Sequence, residues 1–75
     1  MDDFEIVFHA GDAPPPHVYL FGAGGECVVD LGSSAERPRV RYMEGMSDRD
    51  ALRAFRLAEQ CQAQLLLRWR EIHET

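Results

Sequence analysis

SDRDALRAFRLAEQCQAQLLLRWREIH, residues 47–73, is the stretch that decides the fold. It holds no glycine or proline and reads as one amphipathic helix over about residues 48–73. Ser47 is a good N-cap, because its hydroxyl can accept from a first-turn amide that has no partner within the helix. Asp50, three residues on, stands where a capping-box acid belongs. Asp48 and Asp50 together set negative charge at the positive end of the helix dipole. At about 100° per residue, Ala51, Phe55, Ala58, Leu65 and Trp69 fall on one line. Ala54, Cys61 and Ile72 flank that line on one side, Leu66 and His73 on the other. Arg49, Arg53, Arg56, Gln60 and Arg70 point away from it. The alanines midway along would let the helix approach a sheet closely.

The residues before this stretch read as that sheet. Phe4–Phe8, His17–Phe21 and Glu26–Leu31 alternate apolar and polar residues as half-buried strands do, and Gly22–Gly25 closes a tight hairpin between the second and third. Arg39–Met43 is a candidate fourth strand at an edge, with Val40 and Tyr42 inward and Arg39 and Arg41 outward, where their charge discourages stray pairing. The expected class is α+β: a three- to four-stranded antiparallel sheet packed on one long C-terminal helix, in a single domain over residues 1–75. A helix of that length spans roughly 40 Å, whereas strands of this size make a sheet only about 15–20 Å across. The end bearing Leu65, Trp69 and Ile72 is therefore expected to overhang and to meet a homodimer mate or a foreign partner. A break near Gln60–Gln64 is the alternative.

Seventy-five residues make one small domain, of a size commonly helped by oligomerisation. Two cysteines, Cys27 and Cys61, without zinc-ligand spacing, read as buried thiols in a reducing cytoplasm. The first residues lack the layout of a signal peptide, and no apolar run approaches membrane-spanning length. All eight basic residues are arginines and the first is Arg37. Residues 1–36 carry seven acids and no basic group (−7), residues 37–75 eight arginines and six acids (+2), which together make the net charge of −5. An acidic front half speaks against direct nucleic-acid binding and suits a larger protein partner with a basic surface. If Phe4, Ile6, Phe8, Val18, Leu20, Cys27, Val29 and Leu31 face the helix, the other sheet face holds Val7, Tyr19, Phe21 and Val28, rimmed by Glu5, His17, Glu26 and Asp30. An apolar centre inside an acidic rim is the anatomy of a protein-binding patch.

Two stretches are also familiar together. Pro15-Pro16-His17-Val18-Tyr19, entering a strand, and Leu65-Leu66-Leu67-Arg68-Trp69-Arg70-Glu71-Ile72-His73, ending in Trp-x-x-x-His, resemble the small prokaryotic family catalogued as domain of unknown function 4160. The resemblance implies a sheet followed by a final helix and a place in toxin–antitoxin or other mobile defence loci. This chain has Tyr19 where that family commonly has a second histidine. The departure puts a paired-histidine metal or acid–base site in doubt.

The chemistry open to the side chains is narrow. His17 and His73, helped by Asp12 or Glu71, are the candidate acid–base pair of a metal-free ribonuclease. Set against this, His17 reads as a cap on the proline turn, and His73 as a residue placed where the helix dipole favours its charge. Glu5, Glu26 and Asp30 as a divalent-ion site are outweighed by a solvated acidic face, and the arginines of residues 37–41 and 49–56 by a solvated basic one. The expected function is a non-catalytic protein-binding module of a bacterial or phage conflict system, with no cofactor and no metal. Its expected contact residues are Glu5, Tyr19, Phe21, Glu26, Asp30, Leu65, Trp69 and Ile72. An acidic inhibitor of the anti-CRISPR kind, blocking a nucleic-acid channel, and a small ribonuclease toxin are the alternatives.

Overall fold

A computed structural model describes residues 4–73; residues 1–3, with the acids Asp2 and Asp3, and residues 74–75 lie outside it. The order of elements is β1 (Glu5–Val7), β2 (His17–Gly22), β3 (Gly25–Asp30), β4 (Arg39–Glu44), α1 (Asp48–Gln60) and α2 (Gln62–His73). The strands form one antiparallel sheet in sequence order. Gly22 pairs with Gly25 across the β2–β3 hairpin. The two turn residues, Ala23 and Gly24, both have positive φ (51° and 80°), which matches the turn to the twist of the strands. Gly25 answers a different need. A Cβ there would run into the backbone of Glu44 and would lie 2.8 Å from the Gly45 Cα, so only glycine lets β4 end this close to β3.

One sheet face carries the core. Val18, Leu20, Cys27, Val29 and Leu31 are fully buried there, against Ala51, Ala54 and Ala58 of α1, with Phe4, Met46 and Leu65 at the margins. The short alanine side chains let α1 lie close on β3, the strand it touches most. Ser47 caps α1 in the expected manner, its Oγ accepting from the Asp50 N–H at 3.1 Å.

The helical stretch is two helices, not one. Cys61 leaves the helical region (φ −104°, ψ 13°). Backbone hydrogen bonds on either side persist, from Cys61 N–H to the Leu57 carbonyl and from Leu65 N–H to the Cys61 carbonyl, so the break is one residue wide. The tertiary contact beside it is Gln62. Its side-chain amide donates into the carbonyls of Leu31 (2.7 Å), Ser33 (2.9 Å) and Glu36 (2.9 Å), tying the start of α2 to the loop after β3. A straight helix over residues 48–73 would be about 39 Å long, more than the 35 Å longest extent of the molecule. The bend brings α2 onto the segment that precedes β2.

Two further expectations are corrected. β1 is shorter than residues 4–8, because pairing with β2 stops at Val7 and a turn closed by Asp12 N–H on the His9 carbonyl follows. In β4, Val40 and Tyr42 do not share a face. Val40 pairs with Val29 but Tyr42 pairs with Val28, so Arg41 is an extra residue, a β-bulge. Val40 therefore sits on the helix-bearing side and Tyr42 on the opposite one, and both are exposed.

Candidate functional site

The bend assembles a ring cluster at one end of the sheet. Trp69 lies between two imidazoles, stacked on His73 (centroids 3.7 Å apart, 18° between planes) and tilted against His17 (5.2 Å). Tyr19 continues the row, edge-on to both His17 and His9. Asp12 joins the two histidines that flank the indole. Its carboxylate meets His17 Nε2 at 3.1 Å, and its backbone carbonyl meets His73 Nε2 at 3.1 Å. The remaining ring nitrogens of the pair are also engaged: His17 Nδ1 with the Pro15 carbonyl (2.8 Å) and His73 Nδ1 with the Trp69 carbonyl (2.9 Å).

Thus His17 and His73 do come together, with Asp12. Glu71 is elsewhere, paired with Arg68 at 3.5 Å. Tyr19, which stands where the resemblance leads one to expect a second histidine, packs its ring against His17. The same cluster removes the overhang. Leu65 and Trp69 are only 8% and 6% exposed and Ile72 is half-buried, all within a single chain. Leu65 and Trp69 are therefore packing residues, and with the helix bent its end no longer calls for a dimer mate to cover it.

The opposite sheet face has none of its central residues in the core cluster; its His17 end lies against Trp69 of α2, and the rest has no helix packed on it among the described residues. Three rungs cross it. Glu5, Phe21, Glu26 and Glu44 stand in register; then Val7, Tyr19, Val28 and Tyr42; then His17, Asp30 and Arg39. Val28 is fully buried even so, between the two tyrosines that flank it. Tyr19 and Phe21 lie nearly parallel, 6.3 Å apart. Glu26 stands directly opposite Glu44, a like-charge pair that weakens a sheet. The phenol of Tyr42 is raised above its ordinary value by local desolvation first and then by the neighbouring Glu26 charge. Asp30, expected in the acidic rim, is neutralised by Arg41 at 2.6 Å; the bulge at Arg41 brings that about.

Among the described residues, ion pairs hold half of the arginines: Arg37 with Glu59, Arg41 with Asp30, Arg53 with Asp50 and Arg68 with Glu71. A cleft of about 960 Å³ between Pro15–Pro16, loop 32–38 and α2 mixes Arg37, Arg39 and Arg70 with Asp30 and Glu36, so neither sign of charge dominates it. Among the described residues, no group of three or more His, Cys, Asp or Glu could hold a metal ion, and Glu5, Glu26 and Asp30 do not form one. Cys27 is a buried free thiol, raised by that burial, and Cys61 is a half-buried one. No helix among the described residues is long and apolar enough to cross a membrane. The paired row of glutamates is visible in sequence only as scattered acids; register is what lines them up. No protein-family model, no curated protein and no solved structure matches this chain.

Proposed function

We propose that this chain is a non-catalytic protein-binding module whose contact surface is the uncovered sheet face, with Glu5, Phe21 and Glu26 at its centre and a basic partner as its target. The observation that carries the reading is the rung Glu5–Phe21–Glu26–Glu44. It gathers carboxylates around an aromatic ring on the part of that face away from α2, and opposes two of them at a cost to stability that folding alone does not explain. A basic surface would relieve that repulsion while burying Phe21 and Tyr19. A toxin–antitoxin-type component and an acidic inhibitor of a nucleic-acid channel are both roles of this kind, and the family resemblance favours the first.

The experiment compares wild type with Glu5→Gln/Glu26→Gln in capture from lysate of the native host. One protein retained by wild type, released by about 0.5 M salt as a screened ionic contact would be, and lost in the double variant is the expected outcome. Equal capture by both chains refutes the surface.

The ribonuclease reading keeps one observation in its favour, the meeting of His17, His73 and Asp12 around Trp69. Against it stand a His17 that is 3% exposed and four ring nitrogens that all have partners. RNA cleavage that is lost in His17→Ala with the fold intact would restore it.

A further inference from the structure

The longer of the sheet's two edge strands is β4. It pairs only with β3, and all six of its residues are exposed. Pro38 precedes it, and Gly45, with a φ of 76°, follows it, so the edge is a segment of defined length. Its sequence is Arg39-Val40-Arg41-Tyr42-Met43-Glu44, basic at one end and acidic at the other. Among the described residues, neither Arg39 nor Glu44 makes an ion pair. Val40 and Met43 are 41% and 37% exposed.

We propose that β4 pairs antiparallel with β4 of a second copy, joining two four-stranded sheets into one. About a two-fold axis between Arg41 and Tyr42, Arg39 faces Glu44 of the second copy, Val40 faces its Met43, and Arg41 faces its Tyr42. Every pair occurs twice. Charge meets opposite charge, apolar meets apolar, and a guanidinium meets a phenol ring.

The bulge is what permits this register. Residues opposite each other in an antiparallel pair lie on the same face of the sheet. In an unbroken strand, Arg39 and Glu44 point to opposite faces, because they are five residues apart and side chains alternate. With the extra residue at Arg41, register sets Arg39, Tyr42 and Glu44 on the open face, opposite Asp30, Val28 and Glu26. Arg41 reaches the same face through its ion pair with Asp30. Val40 and Met43, opposite Val29 and Cys27, lie on the helix-bearing face. All six pairings then match face to face. A slip of one residue either way sets Arg39 against Met43 or Val40 against Glu44, and mismatches both face and chemistry. The arrangement also answers the repulsion between Glu26 and Glu44, because Arg39 of the second copy arrives beside Glu44. It leaves Glu5 and Glu26 free and shares only Glu44 with the rung on which the partner-binding surface rests, so the two contacts meet at that residue.

An edge-strand contact of this length buries little area, and the dimer is of the weak class. Sedimentation equilibrium between about 10 µM and 1 mM reads it. The expected result is a concentration-dependent dimer whose dissociation constant rises by about tenfold or more in Arg39→Glu and in Glu44→Arg, each of which sets like charges face to face twice. Far-UV circular dichroism confirms that both variants are folded. An equimolar mixture of the two variants restores the wild-type constant. In the mixed dimer, the carboxylate introduced in the first variant faces the guanidinium introduced in the second, and the Glu44 retained by the first faces the Arg39 retained by the second. A monomer throughout that range, a dimer indifferent to either change, or a mixture no tighter than its components overturns the proposal.

Discussion

The two faces of this sheet are built from the same strands and behave oppositely. On the covered face, Val18, Leu20, Cys27, Val29 and Leu31 vanish under α1. On the open face, two glutamates oppose each other, a tyrosine is held protonated, and an aromatic pair remains half in solvent. Alternation along a strand makes the two faces chemically independent, so one can be optimised for folding while the other is set by contacts outside the fold. The ring cluster around Trp69 belongs with the covered face in this sense, because every ring nitrogen of His17 and His73 is matched.

That division can be broken most forcefully at the closed end. Trp69→Ala removes the ring on which His17 and His73 rest, and a loss of about 3–5 kcal/mol is expected. For a domain of this size that is much of the total stability. Urea denaturation followed by circular dichroism measures it; a loss under about 1 kcal/mol would place Trp69 among surface residues instead. Gln62→Ala is the next largest. It leaves the carbonyls of Leu31, Ser33 and Glu36 without their shared donor, at a cost of about 1–3 kcal/mol, and hydrogen exchange should quicken first in residues 31–36 and around Cys61.

The open face predicts the smallest change and the opposite sign. Glu26→Gln removes a like-charge pair and should stabilise the protein by about 0.5 kcal/mol. It should also let Tyr42 ionise at lower pH, since the Glu26 charge helps to hold the phenol up. Tyr42 and Cys27 are both raised in the folded state from ordinary values of 10.0 and 9.0. Folding therefore favours the protonated form of each. The stability tied to them is full below about pH 9 and is lost as pH rises past the unfolded values and through the raised folded ones. Phenolate absorbance from about pH 8 to 12, with Tyr42→Phe giving the Tyr19 contribution to subtract, follows Tyr42; an identical titration in Glu26→Gln would contradict this account.

The covered face was legible in the sequence because its causes are local. Ser47 announces a cap, and alternation in Val18–Leu20 and Cys27–Leu31 announces which side is buried. What escaped was set from a distance. The mismatch between helix and sheet length offers a break near Gln60–Gln64 as the alternative, and it falls at Cys61, but nothing in Gln60-Cys61-Gln62 breaks a helix by propensity; the break accompanies an amide reaching carbonyls 26 to 31 residues earlier in the chain. The bulge at Arg41 is likewise invisible in an alternating strand, and it alone moves Tyr42 to the open face. Two motifs suggest the meeting of His17 with His73, but Asp12 as their shared partner required the loop to be in place.

Trp69 is the chain's one tryptophan. A histidine ring in van der Waals contact with an indole quenches its fluorescence, and His73 lies stacked on that ring. The folded protein should therefore be optically dim. Anything that draws the last turn of α2 away from the loop at Asp12 should brighten it, whether partner, substitution or heat. The cluster that locks the final helix to the loop after β1 thus doubles as a label-free gauge of whether the lock is shut.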